Sequence, residues 1–217
     1  MGNGIEGIEK SKKTISVIMQ SYLQPYHGSA SNREEKFKRA VNSFIANTYE
    51  HKELIIVSDG CEITNHLAVE FTSRHPDMIK LISLPKLNTC LDRAQTTYGM
   101  MHSSGDRICY LDADDFIANS HLSDIAHQFT DDLDWVSFPD FIVKNELLEH
   151  TQRNIIFTHG HIGTSCFSHR RNVRAKWNSG YSCDWDYLKQ LMVLHDRQKR
   201  IEVMGYMVCH IPNHTDF

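Results

Sequence analysis

The chain has 217 residues, a length that suits one medium domain or a tight pair of half-domains around a shared core. Its apolar fraction of 41% and charged fraction of 23% are those of an ordinary soluble globular protein. The formal net charge of -4 gives no general electrostatic reason to bind nucleic acid or an anionic membrane.

The opening stretch MGNGIEGIEKSKK has no hydrophobic signal-peptide core, and Glu6 stands where a myristoylation signal wants Ser or Thr. Residues 1–12 are expected to be a loose tail. No apolar run approaches the ~20 residues that span a bilayer. The expectation is a cytoplasmic protein without a transmembrane segment, with peripheral membrane association through a partner left open.

Strand and helix signals then alternate. TISVIMQS (14–21) is apolar and β-branched and reads as a strand. In the next segment (32–49), Phe37, Ala40, Val41, Phe44 and Ile45 recur at helical spacing, with Asn32 as N-cap. ELIIVSDG (53–60) is a second strand ending in a turn, and 62–74 is a helix whose start is open between Glu62 and Thr64 or Asn65. IKLISL (79–84) is a third strand, 88–105 a helix closed by Gly105, and RICYLD (107–112) a fourth strand. This rhythm predicts an α/β fold with a mostly parallel sheet covered by helices on both faces.

From 116 onward the pattern is less regular. It reads as a helix (119–129), a strand (134–139), hairpin strands within 141–157, two helices, and a last strand over 201–211. No repeat, low-complexity tract or linker interrupts the chain, so one continuous domain over 1–217 is expected. Six cysteines at 61, 90, 109, 166, 183 and 209 form no C-x-x-C pair and read as reduced core thiols.

The fourth strand delivers Asp112, Asp114 and Asp115 into four consecutive positions. Carboxylates crowd in this way when a cation lies between them or when some stay protonated. Their hard oxygens suit Mg2+ or Mn2+, with waters and phosphates completing the shell. A solvated loop with a helix cap is the plain alternative. Two enzyme classes place Asp-x-Asp at a strand end. One is the haloacid-dehalogenase-like phosphatase, against which stand Phe116 at the Thr/Val place and the three preceding strands. The other is the glycosyltransferase that uses a nucleotide sugar.

Several blocks together resemble the second class. ISVIMQSY, a helix ending NTY, ELIIVSDG and SSGDRICYLDADD follow one another as in family 2 glycosyltransferases, over residues 14–116. The departures are Gln20 for the usual Pro, Leu23 for Asn, Ser58 for the first Asp of D-D-G-S, and a longer segment at 24–34.

The resemblance implies the GT-A fold, a Rossmann-like α/β/α sandwich. It implies a nucleotide-binding half (13–115) and an acceptor-binding half (116–217). Asp59 matches the carboxylate that accepts the uracil N3–H; the plain alternative is a turn former before Gly60. Tyr22 matches the residue packing on the base, Gln20 approaches it, and Arg93 lies near a basic residue facing the nucleotide. Asp112 and Asp114 match the ribose and metal roles, with Asp115 a further metal candidate. His210 is in the place of a late histidine that completes a metal or diphosphate site, whereas His214 reads equally as an exposed tail histidine.

In the second half, SGYSCDWDYLKQLMVL (179–194) resembles the family's helix that carries the catalytic base. Asp184 takes that position, Cys183 replaces the usual Glu, and Asp186 is the alternative base. HGHIGTSCFSHRR (159–171) resembles the strand and loop under the acceptor, with Gly163, Thr164 and Ser165 facing substrate. His159 and His161 would share one strand face, without further ligands for zinc at useful spacing. Arg170, Arg171, Arg174 and Lys176 read as a solvated helix face or as contacts to a phosphorylated acceptor.

The implied activity is metal-dependent inverting transfer from a nucleotide-diphosphate sugar, a UDP-sugar, to the hydroxyl of a glycan or lipid-linked sugar. The alternatives are a sugar-nucleotide-binding module without turnover, and the phosphatase.

Overall fold

A computed structural model describes residues 13–27, 29–86, 94–144, 148–180, 182–203 and 205–209. Arg93, His210 and His214 lie outside the described residues.

The first half alternates β1 (Ile15–Ser21), α1 (Arg33–Ala46), β2 (Lys52–Asp59), α2 (Glu62–Arg74), β3 (Ile79–Leu84), α3 (Ala94–Met101) and β4 (Arg107–Tyr110). The second holds β5 (Phe116–Ile117), α4 (His121–Gln128), β6 (Trp135–Ser137), β7 (Asp140–Val143), β8 (His150–Arg153), β9 (Phe167–Arg170), α5 (Cys183–Leu194), β10 (Gln198–Arg200) and β11 (Tyr206–Val208). Seven strands form one sheet in the order β10-β6-β9-β4-β1-β2-β3, in which β9 alone runs against the others. A second sheet has the order β5-β11-β7-β8.

The unbroken apolar runs of β1 and β2 are explained by burial on both faces. Ile15, Val17, Met19, Leu54 and Ile56 enter one apolar cluster with Phe37, Val41 and Phe44 of α1 and Phe71 of α2. Ile18, Ile55 and Val57 enter another with Tyr110, Phe167 and the α5 residues Tyr187, Leu188 and Leu191. The period of two along each strand thus feeds two cores.

At the amino ends of the strands, Glu53 gathers bonds from Ser16 Oγ (2.6 Å), Ser104 Oγ (2.9 Å), the Gly105 N–H (3.1 Å) and Lys80 Nζ (2.7 Å). Burial alone would raise its carboxyl; the bonds from Lys80, Ser16 and Ser104 outweigh it and hold the group at about 2.

The chain runs outward from β1 to β2 and β3, then returns to place β4 on the other side of β1. This reversal opens a crevice beyond the carboxyl ends of β1 and β4, the usual place for a ligand in such sheets.

Four expectations change. The run 201–211 is not one long strand: among its described residues only β11 (Tyr206–Val208) is strand, in the second sheet, while β10 just before the run is the edge of the large sheet. Between them Gly205 turns at φ 108°, against Ala118. A second helix before 201 is not found among the described residues, where 172–180 is irregular. Arg170 therefore ends a strand, its Nε donating to the Leu133 carbonyl at 2.6 Å, and Arg171 reaches the Ser103 carbonyl at 3.2 Å. These side chains pin loops and form no helix face. His159 and His161 lie in an exposed loop before a 3-10 turn (Thr164–Cys166), so strand alternation does not apply to them.

Candidate active site

Four segments bring the candidate residues to the crevice. β1 ends in Gln20 and Ser21, followed by Tyr22. Gln20 Nε2 donates to Thr96 Oγ1 of α3, and Ser21 Oγ pairs with Thr64 Oγ1 at 3.0 Å. The Tyr22 hydroxyl accepts from Lys86 Nζ at 3.0 Å, and the ammonium lies 5.2 Å from the ring centre. That bond, with a lesser pull from Asp59, raises the Lys86 pKa.

β2 ends in Asp59, where Gly60 makes a left-handed turn at φ 57°. A Cβ on Gly60 would stand 2.3 Å from the Lys86 backbone nitrogen, so only glycine lets the β2 turn and the β3 exit meet. The Ser58 departure also has a local reason. Its buried hydroxyl accepts the Cys61 N–H at 3.3 Å, while Cys61 Sγ accepts from Leu23 N–H (3.2 Å) and Thr64 N–H (3.4 Å). The thiol caps α2, and the helix starts at Glu62.

Beyond β4 the three aspartates separate. Asp112 and Asp114 are half-buried, and Asp115 is buried. Asp115 Oδ1 accepts the Cys209 N–H at 2.7 Å, and burial, reinforced by Asp114 and Asp112, pushes its carboxyl well above the usual carboxylate range. Two basic residues of α1, the buried Lys36 and the half-buried Arg39, brace this region. Arg39 donates to the Asp114 carbonyl at 2.9 Å, and the buried Lys36 Nζ lies 3.4 Å from the Cys209 carbonyl.

The donor set at the turn is therefore two accessible carboxylates. No group of three or more His, Cys, Asp and Glu converges as a metal site among the described residues. Such an open pair of hard oxygens fits Mg2+ or Mn2+ whose remaining positions go to a diphosphate and water. It does not fit a closed protein cage.

The fourth segment is the start of α5. Ser182, in a left-handed conformation (φ 64°), precedes Cys183, Asp184 and Asp186 in the first turn. Cys183 is buried, and its Sγ lies 3.9 Å from Asp184 Oδ1. Asp184 and Asp186 are both half-buried, and Asp186 pairs with Lys189 at 2.8 Å. One turn on, Tyr187 is anchored among Tyr110, Phe167, His169 and Trp177, the last stacked on it at 4.1 Å.

Under the expected acceptor side, the hydroxyl of Ser165 turns inward. It donates to the buried Asp140 carboxylate at 2.6 Å, which also takes a two-pronged bond from Arg153. Thr164 is buried as well.

Sequence reasoning missed Lys86, Lys36, Arg39, His169 and Tyr206. Two of these had a signal: Lys36 and Arg39 interrupt the apolar stripe of α1 at a spacing of three.

The architecture is similar to that of known transferases. A structure of S. aureus TarS (1-349) in complex with UDP-GlcNAc superposes with a TM-score of 0.72 at 15% identity, covering 93% of this chain and 60% of that one. Mannosyltransferase PcManGT from Pyrobaculum calidifontis, in complex with GDP-Man and Mn2+, superposes at 0.64 with 12% identity, over 91% of this chain and 57% of that one. The chain thus spans about three fifths of the length of those two chains. No curated protein matches it by sequence. No helix among the described residues is long and apolar enough to cross a membrane. The fold is GT-A, and the model of glycosyl transferase family 2 matches residues 29–187, most of the chain: the protein belongs to glycosyl transferase family 2.

Proposed function

We propose that the protein transfers a sugar from a UDP-sugar to a hydroxyl of a glycan or lipid-linked acceptor, with inversion at the anomeric carbon and with help from a divalent cation. The observation that carries this reading is one arrangement. Asp59, Asp112 and Asp114 stand beyond the carboxyl ends of β2 and β4, the two parallel strands that flank β1, and Asp184 lies in the first turn of a helix packed on β4.

Asp59 accepts the uracil N3–H, Tyr22 packs on the base, and Gln20 borders it. Asp112 takes the ribose and Asp114 supplies the metal carboxylate; Asp115, Arg93 and His210 remain further candidates of the same donor site. A cation bound there supplies counter-charge for the leaving diphosphate. Asp184 deprotonates the acceptor hydroxyl as it attacks the face opposite the diphosphate, so the configuration inverts. The N-terminus of α5 is a favourable mount for that carboxylate. Asp186, held by Lys189, is directed to another task.

Calorimetric titration with UDP and GDP, each with and without Mn2+, tests the donor site. A panel of nucleotide sugars, assayed for metal-dependent hydrolysis, then tests turnover. The expected result is Mn2+-dependent UDP binding and slow hydrolysis of one UDP-sugar. Binding of neither nucleotide would overturn the donor reading, and binding without hydrolysis or transfer would leave a binding module.

A further inference from the structure

The turn that carries Asp112 and Asp114 is held by the last described strand. β11 pairs antiparallel with β5, setting Tyr206 opposite Ile117 and Met207 opposite Phe116. The Tyr206 side chain is buried, and its hydroxyl oxygen accepts the Asp112 N–H at 2.9 Å. The same phenol lies by the Asp115 carboxyl and favours its charged form against the burial that opposes it. Asp115 in turn accepts the Cys209 N–H at 2.7 Å. At the start of the strand, the Gly205 carbonyl accepts the Ala118 N–H at 2.7 Å. A Cβ on Gly205 would lie 2.3 Å from that of Ala118, so the two backbones are in close contact. From 112 to 118 the turn is thus tied at three points to one strand from the far end of the chain.

We propose that Tyr206 and Asp115 are positioning residues of the donor site, locking the turn in the conformation in which Asp112 and Asp114 receive a divalent cation and a nucleoside diphosphate. The proposal rests on the donor-site reading above. It assigns Asp115 a role through its bond from the Cys209 N–H in place of direct ligation. The physical reason is pre-organisation. A turn spread over several conformations binds its ligand with an affinity reduced by the fraction that is competent. Five residues between Leu111 and Ile117 present two half-buried carboxylates beside a buried third, and their repulsion opposes any single compact arrangement. The phenol supplies an acceptor and the Cys209 amide a donor to that arrangement from outside the turn.

The test uses the full chain and three variants: Tyr206→Phe, Asp115→Ala and Asp115→Asn. Calorimetry compares UDP with uridine, each with and without Mn2+. Hydrogen exchange of the Asp112 amide is read in the ligand-free protein. Tyr206→Phe should lose roughly tenfold of the gain in UDP affinity that Mn2+ confers, with uridine affinity unchanged, because the base pocket lies on β1 and β2. Asp115→Ala should behave alike. Asp115→Asn keeps an acceptor for the Cys209 N–H and should retain most of the gain. The Asp112 amide should exchange faster in Tyr206→Phe and Asp115→Ala.

A wild-type Mn2+ gain in Tyr206→Phe overturns the proposal, as does a uridine affinity that falls by the same factor. Asp115→Asn as poor as Asp115→Ala marks Asp115 as a direct ligand and overturns its positioning role. Should the wild type show no Mn2+-dependent UDP binding, the donor-site reading fails. Exchange at Asp112 then decides the lock by itself, with an unchanged rate in Tyr206→Phe overturning it.

Discussion

Tyr110 of β4 and Tyr187 of α5 meet at a single nitrogen, His169 Nε2, at 2.6 and 3.1 Å. His169 Nδ1 donates to the Arg170 carbonyl at 2.7 Å, which leaves Nε2 as the acceptor of the nearer phenol. The ring is fully buried among Phe167, Tyr110 and Tyr187. Tyr110 stands two residues before Asp112, and Tyr187 three after Asp184. One neutral imidazole thus couples the strand that leads into the proposed donor carboxylates to the helix that carries the proposed base.

That coupling depends on pH. Burial pushes the His169 ring down to about 4 from its ordinary 6.5. Between these values the unfolded chain binds a proton that the folded one refuses, so stability falls as pH drops from 6.5 towards 4, then levels. The expected loss between pH 7 and 4.5 is about 2–3 kcal/mol from this group. Urea midpoints of the wild type and His169→Gln should converge as pH falls over that range. A constant gap would show that the ring takes up its proton as readily in the folded state as in the unfolded one.

Glu53 has the opposite sign. Its folded-state pKa is depressed from 4.5 to about 2, so its contribution is complete above 4.5 and is lost as pH falls through that window. Glu53→Gln should cost about 2–3 kcal/mol at pH 7 and much less at pH 2.5. The carboxylate lies at the amino ends of the strands, remote from the crevice. Nucleotide affinity at 20 °C should therefore be unchanged while the melting temperature drops, which thermal unfolding beside calorimetry would read.

The first half was legible in the sequence for a physical reason. β1 and β2 are β-branched runs buried on both faces, and their ends carry the only polar groups the runs contain near the crevice. The second half is built on tertiary contacts. The apolar run 201–211 reads as one strand, yet Gly205 is forced into a left-handed turn by Ala118, 87 positions earlier in the chain. Asp114 and Asp115 are the same letter to any periodicity; only burial against β11 separates them. His169 gave no pattern signal, because its partners come from β4 and α5.

The Asp59 assignment rests on one acceptor. Asp59→Ala should weaken UDP by roughly 1–3 kcal/mol, or about 5- to 150-fold, by leaving the imide N–H of uracil unpaired. The loss should be equal with and without Mn2+, since the contact is to the base. Uridine should lose the same factor as UDP. A loss confined to the Mn2+ condition would place Asp59 on the diphosphate side instead.

The proposed base gives the most direct separation of two neighbouring carboxylates. Asp184 and Asp186 are two residues apart on α5, about 200° around the helix, so they cannot share one task. Both are half-buried and differ in their partners: Asp186 pairs with Lys189 at 2.8 Å, while Asp184 lies beside the buried Cys183. Asp184→Asn is isosteric and should leave UDP and Mn2+ binding intact. Transfer should fall by about 10²–10⁴-fold, the usual contribution of a general base. The loss should appear in kcat and not in the KM of the donor, because the proton is taken only on the way to the transition state. Asp186→Asn removes a surface ion pair worth about 0.5 kcal/mol and should transfer at nearly the wild-type rate. Steady-state kinetics of the two variants on the UDP-sugar identified by the hydrolysis panel would decide between them. An inactive Asp186→Asn beside an active Asp184→Asn would move the base to the other face of the helix, against the packing of Tyr187 that now sets its register.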